Sequence, residues 1–141
     1  PGFTDADPSR PDITLSCAPC ASGTFGADFN ASTCSGCPPG RYSGQSGLSA
    51  AIDCAACPAG RSWNGSSGTS ADNCTACRPG LFAAAPGSST CSACEPGTFA
   101  EAEGQVGCIQ CTADRDNTYS EAGASQCFCE EGYYVEGSPW K

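Results

Sequence analysis

Cysteine recurs in this chain as a pair with two residues between, and the pair recurs at nearly constant spacing. The pairs are Cys17/Cys20, Cys34/Cys37, Cys54/Cys57, Cys74/Cys77, Cys91/Cys94 and Cys108/Cys111. Successive first cysteines stand 17, 20, 20, 17, 17 and 19 residues apart, the last step reaching a tighter Cys127-Phe128-Cys129. Self-similarity at a fixed period is the mark of a tandem array in which each period is one structural unit. Little else could hold such a unit together. The large aliphatic side chains are Ile13, Leu15, Leu48, Ile52, Leu81, Val106, Ile109 and Val135, too few for a conventional core, so covalent staples must replace it.

More than cysteine repeats. Three residues after the second cysteine of a pair stands glycine: Gly23, Gly40, Gly60, Gly80 and Gly97. Two residues on, or three in one case, stands an aromatic: Phe25, Tyr42, Trp63, Phe82 and Phe99. Pro38, Pro58, Pro79 and Pro96 lie between cysteine and glycine. Proline presets φ for a turn and glycine takes the positive φ that follows. Each unit is therefore expected to open with a tight turn that throws its ring back over a cystine as a miniature core. The Gly-, Ser-, Ala- and Asn-rich remainder reads as a loose two-stranded excursion, and no helical periodicity appears. The sixth unit departs: no glycine follows Cys111 at the third position, and its aromatic is displaced to Tyr119. Cys129-Glu-Glu-Gly132-Tyr133 recovers the register, with Cys129 in the second-member position. The expected organisation is a Cys-free arm or linker over 1–16, six tandem repeats over 17–126, and a partial repeat with tail over 127–141.

Fourteen cysteines in 141 residues point to a disulfide scaffold, hence to an oxidising compartment, secreted or at the cell surface. The net charge of −9 argues against nucleic acid, whose phosphates would repel it, and against anionic lipid. No apolar stretch approaches the length of a signal-peptide core or a membrane span, so membrane insertion is not expected. With Pro1 first and no methionine, the chain reads as a processed protein or a piece of a longer one.

The motif Cys-x-x-Cys-Pro-x-Gly-x-(Phe/Tyr), with 13 to 16 residues before the next pair, resembles the cysteine-rich repeats of ephrin receptors and the modules of tumour necrosis factor receptors. Cys108 to Tyr134 is especially similar to the ephrin-receptor version, with its Gly-Ala-Ser-x-Cys-x-Cys-x-x-Gly-Tyr-Tyr. The resemblance covers residues 17 to 134. It implies a small disulfide-rich fold of EGF- or TNF-receptor-like repeats, an elongated rod with short β-hairpins and little or no helix. It also implies that the second cysteine of one pair bonds the first of the next: Cys20–Cys34, Cys37–Cys54, Cys57–Cys74, Cys77–Cys91, Cys94–Cys108 and Cys111–Cys127. Spacing by itself leaves the connectivity open. Cys17 and Cys129 remain, as candidates for a bond between subunits.

Zinc is the rival for these cysteines, since two such pairs come close to zinc-ribbon spacing. Against it stand the one-pair period, the terminal Cys-x-Cys and the glycosylation sequons. Catalysis lacks its parts. There is no histidine for a Ser-His or Cys-His couple, and Glu101/Glu103 and Asp114/Asp116 read as a solvated face. Asp5, Asp7 and Asp12 match no calcium loop. The chain is read as non-enzymatic and without a cofactor. Three sequons, Asn30-Ala-Ser, Asn64-Gly-Ser and Asn73-Cys-Thr, mark candidate N-glycans, with Asn30 and Asn64 favoured and Asn73 the weaker because a cysteine stands inside it.

Two functions fit. One is a structural glycoprotein, a rod-like subunit of a surface fibre assembling head to tail, of the Ala/Gly/Ser-rich flavour of mastigoneme-type and other protist or algal surface proteins. The other is a ligand-binding or spacer segment of a receptor ectodomain.

Overall fold

The computed structural model of the chain describes residues 17–28, 32–111 and 117–134. The arm 1–16, with Ile13 and Leu15, and the tail beyond 134 lie outside them, as do Asn30, Asp114 and Asp116.

Six disulfides run in series: Cys20–Cys34, Cys37–Cys54, Cys57–Cys74, Cys77–Cys91, Cys94–Cys108 and Cys111–Cys127. Each closes one unit, numbered here one to six. After the first cysteine of each of the first five bridges the chain makes a β-turn. The N–H of Arg41 donates to Pro38 O, Leu81 to Arg78 O and Thr98 to Glu95 O. Glycine holds the third position with positive φ, +78° at Gly40 and +84° at Gly80, and proline holds the second as Pro39, Pro79 and Pro96. That is type II geometry, and it explains the Pro-Gly punctuation.

The two residues after the glycine form a short strand. In units one to five it pairs antiparallel with the two residues between the next pair of cysteines, and in unit six with Phe128–Cys129. β1 (Thr24–Phe25) pairs β2 (Ser35–Gly36), β3 (Arg41–Tyr42) pairs β4 (Ala55–Ala56), and β5 (Arg61–Ser62) pairs β6 (Thr75–Ala76). β7 (Leu81–Phe82) pairs β8 (Ser92–Ala93), β9 (Thr98–Phe99) pairs β10 (Ile109–Gln110), and β11 (Thr118–Tyr119) pairs β12 (Phe128–Cys129). Two-residue hairpins cannot stand alone in water, so the cystine at the base of each is what makes it persist.

No α-helix occurs among the described residues, but two single turns of 3-10 helix do, at Ala51–Asp53 and Ala71–Asn73. They lie in the two bridges of separation 17 and take up the three residues by which these exceed the bridges of separation 14. Asp53 and Asn73 hold them alike. Asp53 Oδ2 accepts the N–H of Ser49 and Ala50; Asn73 Oδ1 accepts those of Thr69 and Ser70.

The expectation of an aromatic core is corrected. The largest fully buried side chains are cystine halves: Cys37, Cys54, Cys57, Cys74, Cys77 and Cys94, each under 2 % exposed. Around them lie the small residues one place after the aromatic, Ser43, Ala83, Ala100 and Ser120, all buried. The rings Phe25, Tyr42, Phe82 and Phe99 are half-buried, and Tyr119 is exposed. A cystine buries without leaving a polar atom unpaired, so sulfur can replace aliphatic packing where aliphatic residues are absent.

Unit six has asparagine at the glycine position. Asn117 has φ +61° and stands where glycine stands elsewhere, followed by β11 as Gly97 is by β9. Its carbonyl accepts Glu130 N, as Gly97 O accepts Cys111 N. Asparagine is among the few non-glycine residues that enter this region readily.

Candidate functional site

What repeats most faithfully is the seam between one unit and the next. Three backbone hydrogen bonds cross it every time. In the first, the turn glycine donates to the residue just after the first strand of the next unit, small and buried in every case but Trp63: Gly23 to Ser43 O, Gly40 to Trp63 O, Gly60 to Ala83 O, Gly80 to Ala100 O and Gly97 to Ser120 O, at 2.7–3.0 Å. In the second, that same position donates onward. Gly26 N bonds Leu48 O, Ser43 N bonds Gly68 O, Trp63 N bonds Ser88 O, Ala83 N bonds Gln105 O and Ala100 N bonds Ala124 O, at 2.8–3.2 Å. In the third, the loop reaches back to a cystine carbonyl. Gly47, Ser67, Gly87, Gly104 and Gly123 donate to Cys20, Cys37, Cys57, Cys77 and Cys94, at 2.7–2.9 Å. All three are main-chain bonds, so the seam tolerates changes of side chain, and unit three keeps it with Trp63 where the other units have a small residue. Ser120 Oγ adds a fourth bond, to Thr98 O at 2.7 Å.

Units two apart also touch. The loop residue at the third bond packs on the turn glycine two units upstream: Ser67 on Gly23, Gly87 on Gly40, Gly104 on Gly60 and Gly123 on Gly80. The residue before the next second cysteine supports the same loop. The Cβ atoms of Ala56, Ala76 and Ala93 lie 3.7, 3.9 and 3.9 Å from where a Cβ would project from Gly87, Gly104 and Gly123. Sequence reading missed this contact. Its signal was present, a glycine or serine seven residues after each turn glycine from unit two to unit five, within segments that compose like loose loops.

Cys17 and Cys129 take no part in the six bridges; Cys17 is exposed and Cys129 half-buried. Cys129 pairs across the strands with Thr118, as Gln110 does with Thr98. It therefore occupies the strand position before the second cysteine, and Glu130 stands in the second-member place. The turn that follows counts from Cys129, with Tyr133 N donating to Glu130 O and Gly132 at φ +93°. The second-member assignment of Cys129 thus holds for its turn and fails for its strand. In unit six the carbonyl of Cys111 accepts Thr118 Oγ1 at 2.9 Å, in the place where the earlier units accept the loop N–H.

The candidate sequons fare differently. Asn64 is exposed and lines an open groove between units three and four with Ser62, Trp63, Thr75, Leu81 and Thr90. Asn73 is half-buried, its carbonyl oxygen engaged as the cap described above. Glu101 and Glu103 are both exposed. No group of three metal-ligating side chains forms among the described residues, and no helix there is long and apolar enough to cross a membrane.

No curated protein matches the chain. Residues 80–127 match the family model described as tyrosine-protein kinase ephrin type A/B receptor-like. The match covers the end of unit four's opening turn through the last bridge, and so takes in Cys108–Cys127 of the especially similar stretch Cys108–Tyr134 while stopping short of its end. Over units five and six and most of unit four, then, this chain carries cysteine-rich repeats like those of ephrin receptors, the extracellular kind of disulfide-rich repeat.

Proposed function

We propose that this chain is a rod-forming structural part of an extracellular glycoprotein, stacking end to end with further copies into a surface fibre. The observation that carries the reading is the three-bond backbone seam, repeated at all five junctions between units. A seam made of main-chain groups is indifferent to most side chains, so a further unit of the same kind can extend it. A head-to-tail contact of this type is heterologous and propagates unless its rotation closes a ring. Cys17 and Cys129, outside the six bridges, are the candidates to lock such a contact covalently. N-glycans at Asn30 and Asn64 would solvate the sides of the rod. The chemistry is non-catalytic.

The full chain from secretory expression tests this. Negative-stain images should show thin rods that lengthen with concentration, and non-reducing electrophoresis a ladder that collapses to one band on reduction. Compact monomeric particles with no ladder would overturn the fibre.

A second reading has its own support. The match of residues 80–127 to an ephrin-receptor-like model favours a spacer segment of a receptor ectodomain. An extended monomer in the same images is its expected result.

A further inference from the structure

In five units the second residue after the turn is aromatic: Phe25, Tyr42, Phe82, Phe99 and Tyr119. Unit three places Ser62 there and carries its ring one residue later, as Trp63. One step along a strand reverses the face, so the indole leaves the position its counterparts fill. It lies instead over Gly65 and beside Gly68, where a Cβ would stand 3.1 Å from both Trp63 Nε1 and Tyr42 Cβ. The vacated face is an open groove of about 450 Å³. Its lining is mixed: Leu81 and Trp63, with Ser62, Thr75 and Thr90, whose threonines offer both a methyl and a hydroxyl. Asn64, the acceptor of a sequon, is on the rim.

We propose that this groove seats the first N-acetylglucosamine of a glycan on Asn64, the sugar ring taking the place of the aromatic ring that unit three lacks. The proposal rests on the reading that Asn64 is glycosylated. The linkage is the ordinary one of the secretory route: Asn64 Nδ2 displaces the pyrophosphate of a lipid-linked oligosaccharide at its anomeric carbon and loses one proton. A pyranose offers both an apolar C–H face and hydroxyls. The N-acetyl group adds a methyl and an amide. Leu81, the indole and the threonine methyls meet the apolar parts, and the threonine hydroxyls meet the polar ones. Binding needs little ordering, because a sugar bonded directly to Asn64 is already held at the groove. Asn73 offers no such arrangement, its side chain being committed to the 3-10 turn.

The test uses the methyl-labelled full chain from a secretory host in three forms. These are the intact glycan, the glycan trimmed by an endoglycosidase to one sugar, and the protein stripped by an amidase, with Asn64→Asp as the control for the residue that stripping leaves. Expected are nuclear Overhauser contacts from the acetyl methyl to the Thr75 and Leu81 methyls in the first two forms. Stripping should shift both methyl signals, and trimming should not. Ser62→Phe should abolish the contacts while mass spectrometry still finds Asn64 occupied. Occupied Asn64 without these contacts overturns the seat alone. Bare Asn64 in native secreted material overturns the glycosylation reading and the seat with it.

Discussion

The carbonyl oxygen of Gly104 stands where a Cβ on Gly60 would have to go. The two residues belong to units three and five, and Gly60 is also held at φ +80°. Gly60→Ala therefore meets two penalties, the left-handed backbone at about 1–2 kcal/mol and overpacking against main chain at about 1–3 kcal/mol. Gly97 has φ +83° and nothing within 4 Å of its ideal Cβ among the described residues, so Gly97→Ala carries only the first. Urea denaturation of the two variants should rank Gly60→Ala clearly below Gly97→Ala. Equal losses would mean that the two-unit contact contributes nothing.

Asn117 substitutes for glycine in unit six, at φ +61°. Asn117→Gly should leave stability unchanged or raise it slightly, whereas Asn117→Val, β-branched and poorly tolerated at positive φ, should lower it by about 1–2 kcal/mol. Thermal melts of both variants check this.

Asp53 and Asn73 hold equivalent 3-10 turns through side-chain oxygens that accept two backbone N–H groups each. Asn73→Asp should be close to neutral, since unit two already uses aspartate there. Asn73→Ala should cost about 1 kcal/mol, the usual price of a lost cap. A glycosylation study that removes the sequon should accordingly change Thr75 rather than Asn73. Hydrogen exchange at the Thr69 and Ser70 amides reports the cap directly.

Because the buried groups are cystines, dithiothreitol should unfold the chain and EDTA should not. Replacing both Cys57 and Cys74 by alanine should cost about 3 kcal/mol on the chain-entropy account of a loop this size. Circular dichroism with each reagent, and melts of the double variant, measure it. Loss of structure in EDTA under oxidising conditions would restore the metal reading.

The unit and its turn were legible in the order of residues. A type II turn is a local object: Pro79-Gly80 and Pro96-Gly97 set φ at adjacent positions, and no distant group is needed to predict them, whereas Pro38 and Pro58 stand one place earlier, as the first residue of their turns. The period followed from the cysteines for the same reason. The partner of each cysteine did not follow from spacing. It was implied by resemblance to known repeats, and the chain pairs in that series.

Tertiary structure alone decided how the units join. Gly87, Gly104 and Gly123 compose like flexible loop residues, yet each donates to a cystine carbonyl one unit back and packs on a glycine two units back. Main-chain bonds carry no side-chain signature, so a seam built from them is invisible to a reading of residue types. The same holds for the core. Sequence showed which rings were large, but only packing could show that Ser43, Ala83, Ala100 and Ser120 are the buried neighbours of the cystines, with the rings half outside. Where two backbones must approach closely, the small residue goes in and the large one is displaced.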